Sequence, residues 1–153
     1  MNGTHELIIK RLIDAPRETV WRVWTERKEE WFCPKPWRVE MIAEDLRPGG
    51  RSAMVMHGPA GERNELEGLI LDVVPGRRVV STDAFKAGWE PQGPFMVAIT
   101  DFEDEGDKTR YTARARHWTA DAKQQHEAMG FHDGWGKVAE QLADLAEAEA
   151  RGR

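Results

Sequence analysis

The sequence predicts an α+β fold in which an antiparallel sheet of about seven strands faces one long C-terminal helix. Three observations carry that prediction. Short apolar runs recur between residues 39 and 85, with a Gly- or Pro-containing turn between successive runs. Residues 95–118 read as two alternating strands on either side of one turn, the pattern of a hairpin. Phe131, Trp135, Val138, Leu142 and Leu145 are spaced 4, 3, 4, 3, which puts them on one face of a helix. A chain of 153 residues is long enough for one proper core, so residues 1–153 are read as a single domain.

Residues 6–13, ELIIKRLI, are short, β-branched and bounded by polar residues, which makes them the first strand. Asp14 is placed to cap a following helix, with Pro16 in its first turn. That helix carries Val20, Val23 and Trp24 at helical spacing, and a second helical turn runs to Phe32 before Pro34 and Pro36. Four strands are expected next, at about 39–46, 51–57, 64–74 and 79–85, joined by the turns RPGG, GPAGE and Pro75-Gly76. Residues 86–94, KAGWEPQGP, hold two prolines and two glycines and are read as a loop carrying Trp89.

The hairpin that follows is expected to turn at Glu105-Gly106. A two-residue turn there opposes Glu103 to Lys108 and Asp101 to Arg110, pairs of opposite charge on one face. That face also carries Arg114 and Arg116 and is assigned to solvent. The other face presents Met96, Ala98, Thr100 and Phe102 on one strand and Tyr111, Ala113, Ala115 and His117 on the next. Its small residues cluster, where a packed interior alternates large and small ones. Something large must cover them, either a helix at close approach or a bound molecule. The last segment, 119–149, is read as one long helix capped by Thr119 or Asp121, with its charges on a solvated face.

The glycines of AMGFHDGWGKV (128–138) raise the same alternative. Each costs a helix interior about 1 kcal/mol relative to alanine. Gly134 projects about 60° from Phe131 on the helical wheel, so either it brings backbone close to the alanine-lined sheet or it leaves space beside a cavity walled by Met129, Phe131 and Trp135.

Composition narrows the partners. The net charge is −5, which supplies no electrostatic footprint for nucleic acid. Apolar residues make up 40% and charged residues 32%, with no apolar run long enough to span a membrane and no secretory signal in the leading residues, so a cytoplasmic protein is expected. Cys33 is the single cysteine, so no intrachain disulfide forms and no zinc pattern exists. Seven tryptophans are unusual, and large rings either fill a core or line a cavity.

Chemical motifs are sparse. There is no GxSxG, and the glycine turns lack the Walker lysine. Cys33 reads as a structural thiol. His126 and His132 diverge by about 120° on a helix, too far to share a metal, and read as surface histidines. His117 ends the inward row of the hairpin, and it is either a core histidine bonded to backbone or a polar group orienting a ligand; Tyr111 has the same two readings. Asp101 and Glu103 point outward on this register, and the faces of Asp45 and Asp72 are not assigned. Met54 and Met56 share a face with Ser52, which is expected to point inward. No metal and no cofactor is expected.

Five stretches carry a resemblance to a known family: RLIDAPRETVWRVWTE (11–26), EEWFCP (29–34), EDLRPGGRSAMVMHGPAGE (44–62), GLILDVVPGRRVVST (68–82) and MGFHDGWGKVAEQLADL (129–145). The chain resembles the SRPBCC (START/Bet v 1-like) superfamily and, within it, the homologues of the activator of Hsp90 ATPase. Phe32-Cys33 departs from it, because many members have Trp-Gly there; that alters the mouth of the pocket and leaves the fold intact. The resemblance implies the helix-grip fold, a curved sheet of about seven strands wrapped around the C-terminal helix, with two short helices after the first strand and an interior cavity. It tips the glycine question toward the cavity.

Three functions follow as expectations. The first is binding of a small hydrophobic or aromatic molecule in a cavity lined by Met54, Met56, Met96, Tyr111, His117, Met129 and Trp135, with Trp31 and Trp89 near its entrance. The second is an enzyme, cyclase/aromatase-like or hydrolytic, in the same cavity, with His117 as its acid or base. The third is an Hsp90-type or other protein-interaction module, by analogy alone. A monomer or homodimer, with neither nucleic acid nor membrane as partner, completes the reading.

Overall fold

The computed structural model describes residues 5–93 and 96–152. Pro94, the end of the expected loop, and residues 1–4, read as no signal, lie outside them. The elements in chain order are β1 (His5–Ile13), α1 (Arg17–Glu26), α2 (Lys28–Trp31), β2 (Arg38–Glu44), β3 (Arg51–His57), β4 (Arg63–Val74), β5 (Arg78–Thr82), β6 (Phe85–Lys86), β7 (Glu90–Pro91), β8 (Met96–Glu105), β9 (Lys108–His117), α3 (Ala120–Ala128) and α4 (Phe131–Arg151). Seven strands form one antiparallel sheet in the order β1-β9-β8-β5-β4-β3-β2, with β6 and β7 as a separate two-stranded ribbon. The four-strand meander, the hairpin and the two short helices follow the sequence reading. The fourth strand of the meander ends sooner than expected. Residue 85 leaves the sheet because Thr82 turns the chain, donating to the Met96 carbonyl and accepting from Ala84 N–H, and Phe85 then pairs with Pro91.

The core forms where α1 and α4 cross the concave side of this sheet. α1 buries Val20 and Val23 completely and Trp24 nearly so. Trp24 meets Phe102 edge-on at 5.7 Å, and Phe102 meets Tyr111 at the same distance, an arrangement aromatic quadrupoles favour. The Trp31 indole N–H donates to the Val23 carbonyl at 3.2 Å, which folds α2 back under α1. Asp14 does not cap α1: its backbone N–H donates to Glu147 at the far end of α4, and Pro16 occupies the N-cap with extended geometry.

The hairpin turns two residues' worth of pairing later than expected. Glu105 opposes Lys108, Glu103 opposes Arg110 and Asp101 opposes Thr112, with Gly106-Asp107 at the turn. A slip by two keeps every side chain on its own face, so the inward row stands: Ala98 faces Ala115, Thr100 faces Ala113, and Phe102 faces Tyr111. Asp101 lies on the outer face as read but is not solvated. It is 8% exposed, covered by Arg78 and by Arg114, whose guanidinium is 2.7 Å away. Arg114 and Arg116 share Glu6, so a row of alternating charges runs across the four adjacent strands β1, β9, β8 and β5.

The C-terminal segment is two helices, not the one long helix expected. Thr119 caps α3, accepting the Ala122 N–H at 3.1 Å. The chain then breaks at Gly130, whose φ of 96° lies in the left-handed region that only glycine adopts at little cost. Of the predicted stripe on α4, Phe131 and Leu142 are fully buried while Trp135, Val138 and Leu145 are half-buried on its flanks. The centre of the buried face is Ala139, Leu142, Ala143 and Ala146. Those alanines let α4 lie close to α1 and β1.

Candidate ligand cavity

Between the sheet and α4 lies a cavity of about 410 Å³. Its floor is the inward face of the sheet: Ile9, Ser52, Met54, Met56, Ile70, Val79, Ser81, Met96, Ala98, Thr100, Tyr111 and Ala113. Trp24, Lys28, Trp31, Phe32 and Pro34 close one side, and His126, Phe131, Trp135 and Val138 form the roof. Leu66, 42% exposed, and Met129, 75% exposed, mark where the cavity meets solvent. The alternation along each strand explains the floor, since every second residue points the same way.

The glycines do not serve close packing. A Cβ built on Gly130, Gly134 or Gly136 meets nothing within 4 Å, and Gly130 and Gly134 border the cavity. The opposite case is Gly50 in RPGG, where a Cβ would come within 1.9 Å of the Asp45 carbonyl oxygen. That turn is held by hydrogen bonds between Gly49 or Gly50 and Ile70, and Ile70 is part of the floor.

The structure brings Trp31, Met54, Met56, Met96, Tyr111, Met129 and Trp135 together around one space. Trp31 stands in the wall, 1% exposed, and not at the entrance. Trp89 does not line the cavity. It is 65% exposed on the β6–β7 ribbon, which is separate from the seven-stranded sheet, and packs edge-on against Phe85 and over Gly49. His117 does not line it either. Of the three alanines, Ala98 and Ala113 border the space, whereas Ala115 packs with Leu7 and Phe131.

His126, read from sequence as a surface residue, takes the place foreseen for His117. It is 7% exposed, enclosed by Phe131 and Trp135, and its Nδ1 is 2.9 Å from His117 Nε2. His117 Nδ1 lies 3.2 Å from the His5 carbonyl, which can only accept, so that nitrogen carries a hydrogen. With one proton on the His117 ring, its Nε2 accepts from His126 Nδ1–H. Burial, with His117 adding to it, lowers the His126 pKa to about 4. Proton uptake in the unfolded chain at its ordinary value, about 6.5, therefore opposes folding. Stability tied to this group is present above that value and is lost as pH falls from about 6.5 toward 4. His126→Asn, which keeps a donor to His117, is expected to lose about 2 kcal/mol less than the wild type over that interval in urea titrations.

Two buried polar groups had no sequence signal, Lys28 in the cavity wall and Gln141 bonded to the chain at 31–35. Lys28 is 4% exposed, with its ammonium 3.6 Å from the centroid of Trp24 and salt-bridged to Glu44. Burial pulls its pKa below the usual lysine value, with Glu44 opposing that shift. Gln141 on α4 donates to the carbonyls of Trp31 and Cys33 and accepts from Lys35 N–H. Tyr111 is pushed up to about 12 by burial, so its phenol keeps its proton. Burial raises the Cys33 thiol to about 11, which makes it inert as a nucleophile at neutral pH. Asp45 and Asp72 are exposed. Among the described residues no group of three or more His, Cys, Asp or Glu is placed to hold a metal ion, and no helix is long and apolar enough to cross a membrane.

Residues 14–147 match the model of a family described as activator of Hsp90 ATPase homolog 1-like protein. Among solved structures, protein NE0264 from Nitrosomonas europaea is 38% identical, with a TM-score of 0.89 over 94% of this chain and 95% of that one. Protein Ms6760 from Mycobacterium smegmatis is 25% identical, with a TM-score of 0.80 over 95% and 93%. The AHSA1 (SPO3351) protein from Silicibacter pomeroyi shares the fold at 18% identity and a TM-score of 0.73, over 94% and 99%. No curated protein matches the sequence significantly.

Proposed function

The chain belongs to the activator of Hsp90 ATPase homolog 1-like family, and from that premise we propose that it binds a small hydrophobic or aromatic molecule in the cavity between its sheet and its C-terminal helix. The observation that carries this reading is the distribution of small residues. Ala98 and Ala113 on the floor and Gly130 and Gly134 on the roof all border the space, and among the described residues no side chain from elsewhere refills it. Unfilled volume beside apolar side chains costs stability, about 24 cal/mol per Å³ in core-truncation series. A cavity of this size, mostly apolar with a few polar groups, is the usual form of a small-molecule site.

Filling the space is expected to stabilise the protein and weaken binding together. Ala98 is half-buried and Ala113 buried, so Ala98→Leu has the more room and Ala113→Leu is the stricter trial. The expected result for Ala98→Leu is a melting temperature raised by a few degrees and at least tenfold weaker binding of a hydrophobic probe dye. Mass spectrometry of the native protein identifies what co-purifies. A wild type that takes up no apolar molecule, together with a destabilised Ala98→Leu, overturns the reading and leaves a partner-binding surface as the better one.

An enzyme is the second reading, and the His5–His117–His126 chain is what favours it. His126 is the member in the cavity wall, so His126→Asn, and not a change at His117, is the variant to follow in a turnover assay with the identified ligand.

A further inference from the structure

We infer that the Lys28–Glu44 pair is the polar anchor of the cavity, and that it selects a neutral ligand whose apolar body ends in a hydrogen-bond acceptor beside a donor, as in a carboxamide or lactam. The inference rests on the ligand-binding reading above. Both residues border the cavity. Lys28 is the first residue of α2 and Glu44 the last of β2, so the pair stands where helix and sheet edge converge on the space.

The donor and acceptor inventory sets the chemistry. An ammonium has three N–H groups. Among the described residues, the one side-chain hydrogen bond of Lys28 is to Glu44 Oε2, and the one side-chain hydrogen bond of Glu44 is to Lys28. The face of Trp24, and Phe32 at 5.7 Å, hold the cation without accepting a conventional hydrogen bond. The pair therefore offers the cavity a spare N–H donor and a spare carboxylate oxygen side by side. Donors and acceptors that face a largely apolar cavity call for partners. Charge settles which partner. Lysine and glutamate together are neutral, so an anionic ligand brings a third, uncompensated charge into a largely apolar space, and a cationic ligand does the same. A hydrocarbon leaves both spare positions empty. A carboxamide answers both, its oxygen accepting from Lys28 and its N–H donating to Glu44.

Three probes of one shape test this: 2-naphthamide, 2-naphthoate and 2-isopropenylnaphthalene, each titrated against the full chain by displacement of a hydrophobic dye. The wild type is expected to bind the amide at least about tenfold more tightly than either of the others. In Lys28→Met/Glu44→Leu, which removes both charges together, that preference is expected to shrink to within about twofold. Equal binding of amide and hydrocarbon, or tightest binding of the carboxylate, overturns the anchor while leaving ligand binding in place. If neither the dye nor any probe binds, both readings fall. The ranking on wild-type protein decides the matter alone should the double variant not fold. A pair that served only to clamp α2 to β2 would leave the wild-type ranking flat.

Discussion

Glu44→Leu is expected to destabilise the protein by about 3–5 kcal/mol, the cost of stranding a buried charge. Lys28 keeps its stem and ammonium against Trp24, 4% exposed, with no carboxylate to answer it. Lys28→Met/Glu44→Leu is expected to return to within about 1 kcal/mol of the wild type, since replacing a buried pair by apolar side chains of similar size is often neutral or stabilising. The pH dependence carries the sign of the mechanism. Burial lowers the folded pKa of Lys28, with Glu44 holding it up, so without Glu44 the unfolded chain binds more protons between that lowered value and about 10.4. Stability of the single variant must then rise with pH through this window, and its deficit must shrink. Urea unfolding at pH 7 and pH 9.5 measures both effects. A Glu44→Leu protein as stable as the wild type would mean that water reaches Lys28.

Gln141→Leu is expected to cost about 3 kcal/mol, although leucine nearly matches the side chain in volume. The amide donates to the Trp31 carbonyl at 2.9 Å and the Cys33 carbonyl at 2.7 Å, and it accepts from Lys35 N–H at 3.1 Å. Three backbone groups with no strand or helix partner depend on it, and leaving buried polar groups unmet is costlier than an ordinary bond is worth. Gln141→Glu keeps the shape but turns one carboxylate oxygen toward two carbonyl oxygens, so it should fare no better at pH 7. The segment held by Gln141 includes Trp31, Phe32 and Pro34 of the cavity wall. Its loosening should therefore appear as faster hydrogen exchange at 31–37 and as weaker probe binding, beyond the loss in global stability. Exchange unchanged in that segment would show that something else holds it.

The sequence by itself determined whatever depends on local periodicity. Alternation along 96–102 and 111–117 assigned the inward row correctly even though the turn sits at Gly106-Asp107, because a slip of two residues leaves every side chain on its face. Spacing on the C-terminal segment identified its buried side, whereas the small residues Ala98, Ala113, Gly130 and Gly134 left close packing and a cavity both open until the family resemblance tipped them toward the cavity. Tertiary structure decided the rest, through what it packs against each residue. His126 sits on a polar helix whose own pattern gives no sign of burial; it is enclosed because Gly130 breaks the chain and folds Phe131 and Trp135 over it. Trp89 looked like a cavity residue by its type, yet the β6–β7 ribbon carries it away from the cavity. Nothing in their own segments marks Lys28 and Glu44, which are buried when α2 packs against β2, or Gln141, which gains its partners when the chain at 31–35 is laid across α4. Period and size are properties of a segment, whereas burial of a charge or an amide is a property of what the fold places against it.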